Sequence, residues 1–188
     1  MGMSAAHTDW TIDLLDALPD DEQRYEIIDG ELFVTPSPGE SHQDLVLALA
    51  ARLHAYLHGS TVGKAMISPS DVRRGDHTRN RVQPDVYVIR RIGGARPEYP
   101  YELHNLLFAA EVVSPANPRY DYVTKRDLYL KENVGEYWVI DPVKRTITRW
   151  RGLNEPPDVR RDTISWQPDG MPEPFVLDVQ KYFADAYA

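Results

Sequence analysis

Apolar residues recur at two different periods along this chain, and the switches between them mark out its elements. Leu45, Leu49, Leu53 and Leu57 return every fourth position, the spacing of one helix face, and predict an amphipathic helix that stops at Gly59. Ser41 with Asp44 ahead of that run reads as a capping box. Residues 25–34 instead form two strand-like runs on either side of Asp29-Gly30, a dipeptide that accepts the positive φ of a tight hairpin turn. Pro36 and Pro38 end the second run. Before the hairpin, Thr11 suits the N-cap of a short helix ending near Leu18, with Pro19 as its stop.

After the leucine helix, residues 64–67 and 71–73 predict strands, followed by an arginine-rich loop and an apolar strand over 86–89. Gly93-Gly94 and a connection rich in Pro and Tyr lead to the most apolar strand, 106–113, which ends at Ser114-Pro115. Asn117 and Pro118 fit the N-cap and first position of a helix running to about residue 132. Residues 136–140 and 146–150 predict two strands joined at Asp141-Pro142, with Tyr137 and Trp138 alternating on a half-buried surface. Pro156-Pro157 and the prolines between 168 and 174 precede a small C-terminal segment, 175–183. No repeat or low-complexity tract breaks this order. The mixture of strands and helices predicts a single α/β domain over 1–188, a length that supports one substantial core.

Composition narrows the chemistry. The chain has no cysteine, which removes disulfides, thiolate metal sites and thiol nucleophiles together. Residues 1–10 hold no apolar run of signal-peptide length, and no later run approaches a membrane span. A soluble, cytoplasmic protein without a membrane partner is the expectation. The net charge of −8 argues against coating DNA by charge alone. Acidic residues concentrate between Asp9 and Glu31 and again in the tail. Arg73, Arg74, Arg79 and Arg81 form a local basic segment ahead of Asp85, a candidate contact for substrate phosphate.

Three residues carry the candidate chemistry. Asp85 opens the 86–89 strand, Glu111 interrupts an otherwise apolar strand, and Lys125 lies on the following helix. A carboxylate within the apolar run 106–113 is costly to bury without a partner or a metal. Two carboxylates and an ammonium at one sheet edge match a metal-dependent phosphodiesterase. The acids would hold Mg²⁺ or Mn²⁺ and the lysine would stabilise developing charge. Each residue also has an ordinary reading. Glu111 suits a structural ion pair and Asp85 suits turn chemistry, while Lys125 suits a surface pair with Asp121 worth about 0.2–0.5 kcal/mol.

Several motifs occur in an order that resembles a known family. These are residues 25–32 with the Asp-Gly turn, Ser37-Pro38 leading to His42, Gln83-Pro84-Asp85-Val86, and Glu111-Val112-Val113-Ser114-Pro115. Asp121 with Lys125 and Tyr129 follows, and then residues 134–142. Together they resemble the bacterial Uma-type restriction endonucleases of the PD-(D/E)xK nuclease superfamily. The resemblance covers residues 25–150, which it makes a nuclease-like core, and leaves 151–188 as a C-terminal extension. It implies a restriction-endonuclease-like fold, a mixed central sheet flanked by helices, with an N-terminal hairpin and a site at one sheet edge.

Carried over by position, Asp85 is the aspartate of the Pro-Asp motif and Glu111 the second acid. Val113 stands where the superfamily's lysine would be, so the resemblance assigns that role to Lys125. Nuclease cores of this type often add an acid from an N-terminal element; of Glu26 and Glu31, Glu31 is the expected third metal ligand. His42 and Tyr129 are candidates to contact substrate or to support the ligands. The expected activity is endonucleolytic cleavage of DNA by a homodimer. The alternative, which the acidic charge favours, is a catalytically silent nuclease-fold module for binding or assembly.

Overall fold

A computed structural model describes residues 9–19, 21, 23–75, 77–114 and 117–188. Residues 1–8, and Pro115 at the expected end of the apolar strand, lie outside this set. The chain forms α1 (Ile12–Asp16), the hairpin β1 (Arg24–Ile28) and β2 (Glu31–Thr35), and the leucine helix α2 (Glu40–Leu57). Next come β3 (Gly63–Ile67), β4 (Val72–Arg74), β5 (His77–Val82), β6 (Val86–Arg90), β7 (Tyr101–Glu102) and β8 (Leu106–Val112). The last part contains α3 (Arg126–Lys131), β9 (Tyr137–Asp141), β10 (Thr146–Trp150), β11 (Asp158–Arg160), β12 (Thr163–Trp166), β13 (Phe175–Asp178) and α4 (Val179–Ala186).

The central sheet has the order β11-β10-β9-β8-β6-β3. Only β8 and β9 run parallel within it, and their connection carries α3, the crossover that parallel neighbours require. The mixed sheet agrees with the expected fold class. β8 and β9 are buried at every position because both faces of the sheet are covered. The half-buried surface expected for Tyr137 and Trp138 is therefore replaced by full burial, with Trp138 in one core and Tyr137 in the other.

On one face, α2 turns its leucines onto Val86, Val88, Phe108, Ala110 and Val112. Burying each such leucine stabilises the fold by roughly 1.5–3 kcal/mol. The β12-β13 pair and α4 complete this layer, and the Tyr182 hydroxyl donates to the Leu45 carbonyl at 2.8 Å. The segment beyond residue 150, expected as an extension, thus belongs to the core. On the opposite face, a five-stranded sheet of order β2-β1-β5-β4-β7 and helix α3 enclose Tyr87, Ile89, Ala109, Tyr137 and Val139.

Three local details depart from the sequence pattern. Helix α2 starts at Glu40 with Gly39 as its N-cap and no side-chain cap bond, so Ser41 lies inside the helix and the capping box does not form. The arginine-rich loop is a strand, β5, paired with β1 and β4. Its charge is tolerated because Arg79 pairs with Asp9 at 2.7 Å and Arg81 with Asp16 and Asp71. The acidic N-terminal stretch and the basic segment neutralise each other. After Pro118, the backbone widens into a π-helical turn, Tyr120–Lys125, before it tightens into α3.

Candidate active site

Antiparallel register places the two principal carboxylates side by side. β6 and β8 pair Val86 with Ala110, so the next residues outward are Asp85 and Glu111. Alternation sets the face: Val86 and Val88 join Ala110 and Val112 in the α2 core, while Tyr87 and Ile89 join Ala109 and Val113 in the other. Asp85 and Glu111 therefore share the second face. The π-helical turn brings Lys125 to the same place. Its ammonium lies 3.0 Å from Glu111 Oε1 and 3.1 Å from Glu26 Oε1, and 5.0 Å from the centre of the Tyr120 ring. Lys125 and Asp121 are both buried, so the solvent-exposed pair suggested by their spacing does not form.

The carboxylate oxygens are unevenly engaged. Asp85 Oδ1 accepts from Arg24 Nη1 at 2.8 Å, and Oδ2 takes the Val112 amide at 2.9 Å beside His42 Nε2, also at 2.9 Å. Glu111 Oε1 accepts from the Tyr129 hydroxyl at 2.7 Å in addition to Lys125. Among the described residues, its Oε2 has a long contact, 3.4 Å from the Asp85 amide. Glu26 receives the Gln83 amide at 2.7 Å and the Tyr120 hydroxyl at 3.0 Å.

Burial and mutual repulsion shift these groups in opposite directions. Burial opposes ionisation of Asp85, but the His42 hydrogen bond and the Arg24 charge outweigh it and hold its carboxyl below the usual range. Glu111 goes the other way: burial raises it well above its ordinary value against the pull of Lys125, and Asp85 and Glu26 add to the rise. Asp121 is pushed up to about 7, chiefly by burial, with Lys125 opposing and Asp85 and Glu26 contributing. For Lys125, desolvation is outweighed by the surrounding carboxylates, Glu111 first, so its ammonium is held more tightly than usual.

The cluster opens into a cleft of about 450 Å³ whose other walls include Val34, Pro36, Pro38, Val113 and Tyr187. A second compartment of about 320 Å³ shares Arg24, His42 and Asp85 and is lined further by Gln23, Gln43, Ser68 and Gln83. Of the residues singled out from sequence, Asp85, Glu111, Lys125, His42 and Tyr129 are brought together. Glu31 is not: it is exposed at the turn end of β2, opposite Ile28, and lines neither compartment. Glu26, paired with Phe33 further along the hairpin, is the carboxylate that enters the cluster. Arg73 lies 3.9 Å from Asp71, Arg74 pairs with Glu132 at 2.8 Å, and neither lines the cleft. Arg24, Tyr120 and Asp121 are further members that the sequence reading did not place in the site.

The donor set can be tested against a metal ion. Among the described residues, no group of three or more His, Asp or Glu side chains stands ready to hold one. The oxygen chemistry and the charge nevertheless fit a hard divalent cation. Glu26, Asp85, Glu111 and Asp121 supply four negative charges when ionised, against two permanent positive charges from Arg24 and Lys125, leaving two to be balanced. The upward shifts at Glu111 and Asp121 reflect that unbalanced charge together with burial.

Comparisons with known proteins bear on this geometry. Residues 12–180 match the Uma2 family, described as "Putative restriction endonuclease". Among solved structures, a nuclease of the DUF820 group from Anabaena variabilis ATCC 29413, itself designated putative, superposes with a TM-score of 0.76. It is 20% identical, and the likeness covers 94% of this chain and 99% of that one; at that identity it establishes the fold. No curated protein matched. Among the described residues, no helix is long and apolar enough to cross a membrane.

Proposed function

Because the chain belongs to the Uma2 family of putative restriction endonucleases, we propose that it is a metal-dependent endonuclease hydrolysing DNA phosphodiester bonds. The observation that carries this reading is the convergence of Asp85, Glu111 and Lys125 at the floor of one cleft, with Glu26 completing the ion pairs. Asp85 and Glu111 would hold Mg²⁺ or Mn²⁺. The chemistry such an ion would supply, when bound, is activation of a water and polarisation of the scissile phosphate. Lys125 keeps Glu111 and Glu26 oriented and places a fixed positive charge beside the reacting phosphate, where it favours the more highly charged transition state. His42 and the Val112 amide fix Asp85 Oδ2, and Tyr129 fixes Glu111 Oε1, so the ligands are pre-oriented. Cutting both strands of a duplex calls for two such sites, which a two-fold dimer in the cytoplasm would provide.

A second reading has one observation in its favour. Arg24 and Lys125 already pair with Asp85, Glu26 and Glu111 without an ion, as a silent nuclease-fold binding module would require. Plasmid cleavage with Mn²⁺, Mg²⁺ or EDTA, together with metal-dependent melting, separates the two. The nuclease reading expects cleavage only with metal, a rise in Tm on metal addition, and loss of both in Asp85→Asn and Glu111→Gln. A metal-insensitive Tm with no cleavage supports the silent module.

A further inference from the structure

Arg24 occupies a position that a bound ion would contest. Its guanidinium caps Oδ1 of Asp85, a residue that lines both compartments, and also approaches the Gln83 carbonyl at 3.4 Å. His42 sits on the other oxygen, Oδ2, and does not contest Oδ1; the remaining partners of the carboxylate pair cannot leave cheaply. Lys125 is 2% exposed and held by two carboxylates, the Val112 amide is part of β8, and the Tyr129 hydroxyl is buried. Arg24 stands at the first position of β1 on a long side chain that is 16% exposed. A divalent ion on Oδ1 and a guanidinium on the same oxygen would repel at contact distance. The arginine is the group that must yield.

Displacement would not leave Arg24 without a use. Among the described residues lining the cleft, the permanent cations are Arg24 and Lys125, and Lys125 is pinned between Glu26 and Glu111. The basic residues of β4 and β5 are committed to Asp9, Asp16, Asp71 and Glu132. The neighbouring compartment offers Arg24 neutral hydrogen-bonding walls in Gln23, Gln43, Ser68 and Gln83. A guanidinium presents a planar fork suited to phosphate oxygens. Resting on the nuclease reading above, we infer that Arg24 is an exchangeable counter-ion: it guards Asp85 until a divalent ion takes Oδ1, and the freed guanidinium then binds a substrate phosphate. Metal and DNA binding are thereby positively coupled, and the coupling is reciprocal.

The test uses Ca²⁺ and a short fluorescein-labelled DNA duplex, with equilibrium binding read by titration calorimetry and fluorescence anisotropy. In the wild type, Ca²⁺ should tighten duplex binding, and duplex should tighten Ca²⁺ binding by the same factor, on the order of 10-fold or more. Arg24→Ala should bind Ca²⁺ alone about 10-fold more tightly than wild type, because the competing cation is gone. In the same variant, the enhancement of duplex binding by Ca²⁺ should fall about 10-fold; the remainder is the ion's own attraction for phosphate. Arg24→Gln, closer in size, serves if the alanine variant fails to fold by circular dichroism. Unchanged or weaker Ca²⁺ binding with coupling intact would overturn the inference and leave Arg24 a fixed structural partner. Absence of Ca²⁺ and Mn²⁺ binding in wild type and variants alike would instead overturn the nuclease reading, and the inference with it.

Discussion

Replacing Lys125 by methionine tests whether the buried ion pairs hold the site together. Methionine nearly matches the length and volume of the lysine stem while it deletes the charge. Glu26 and Glu111, each 1% exposed, lose a cation at 3.1 and 3.0 Å. Glu26 keeps its bonds from Gln83 and Tyr120, and Glu111 keeps the Tyr129 hydroxyl. Breaking a buried pair from one side costs about 3–5 kcal/mol, and in a chain of 188 residues each kcal/mol moves Tm by roughly 2–4 °C. At pH 8 without metal, the variant should therefore melt about 6–20 °C below wild type.

The sign of the pH dependence follows from which groups titrate. Lys125 is held above its ordinary value, so its contribution is complete throughout the range from pH 5 to 8 and is lost only at more alkaline pH. Glu111 is already raised by burial and rises further without the lysine. A carboxyl raised in the folded state keeps its proton there after the unfolded chain has lost it, so its burden on stability grows with pH. The deficit should shrink to about 1–2 kcal/mol at pH 5, where protonated Glu111 needs no cation. Urea unfolding followed by circular dichroism at both pH values measures it. A loss below about 1 kcal/mol at pH 8, or an equal loss at both, would refute the reasoning.

Asp121→Asn should act in the opposite direction. The Asp121 carboxyl rises from 3.8 to about 7, so it is harmless below the unfolded value and destabilising as pH climbs toward 7 and beyond. The variant should match wild type near pH 4 and gain up to about 4 kcal/mol at pH 8, read from thermal melts. No gain at pH 8 would contradict the electrostatic account. Gly135→Ala places a Cβ only 2.7 Å from the Leu107 carbonyl oxygen. The entrance to β9 must move away from β8, and denaturant titration should show a loss of about 1–3 kcal/mol.

Much of the site could be read from charges placed against the hydrophobic pattern, and the reason is physical. Glu111 stands out because a carboxylate in an all-apolar strand demands a partner, and the register that puts Asp85 beside it follows once β6 and β8 are adjacent. The same logic applied to Arg24–Ile28 would have found Glu26, a charge between Tyr25 and Ile27. The resemblance points to Glu31, yet both acids fall on the same face of the hairpin, Glu26 opposite Phe33 and Glu31 opposite Ile28. Only the packing of β1 against β5, which is non-local, buries one and exposes the other. Arg79 and Arg81 follow a strand period that their charges concealed, since pairing with Asp9 and Asp16 is invisible without the fold. The π-helical turn at Tyr120–Lys125 has no signature in residue type, and it is what turns Lys125 inward from an apparent surface pair.

The contacts that close the cluster span long stretches of chain. Arg24 reaches Asp85 across 61 residues, and Tyr120 reaches Glu26 across 94. Loop-closure entropy must be met before either contact returns any stabilisation, so the charged centre forms late in folding, after the hairpin and the leucine helix are in place. During synthesis, Glu26, His42 and Asp85 emerge well ahead of Glu111 and Lys125 and remain hydrated, separate charges. A growing chain therefore presents no assembled carboxylate–lysine centre until most of its length has been made, and polypeptide elongation itself sets when that centre comes into being.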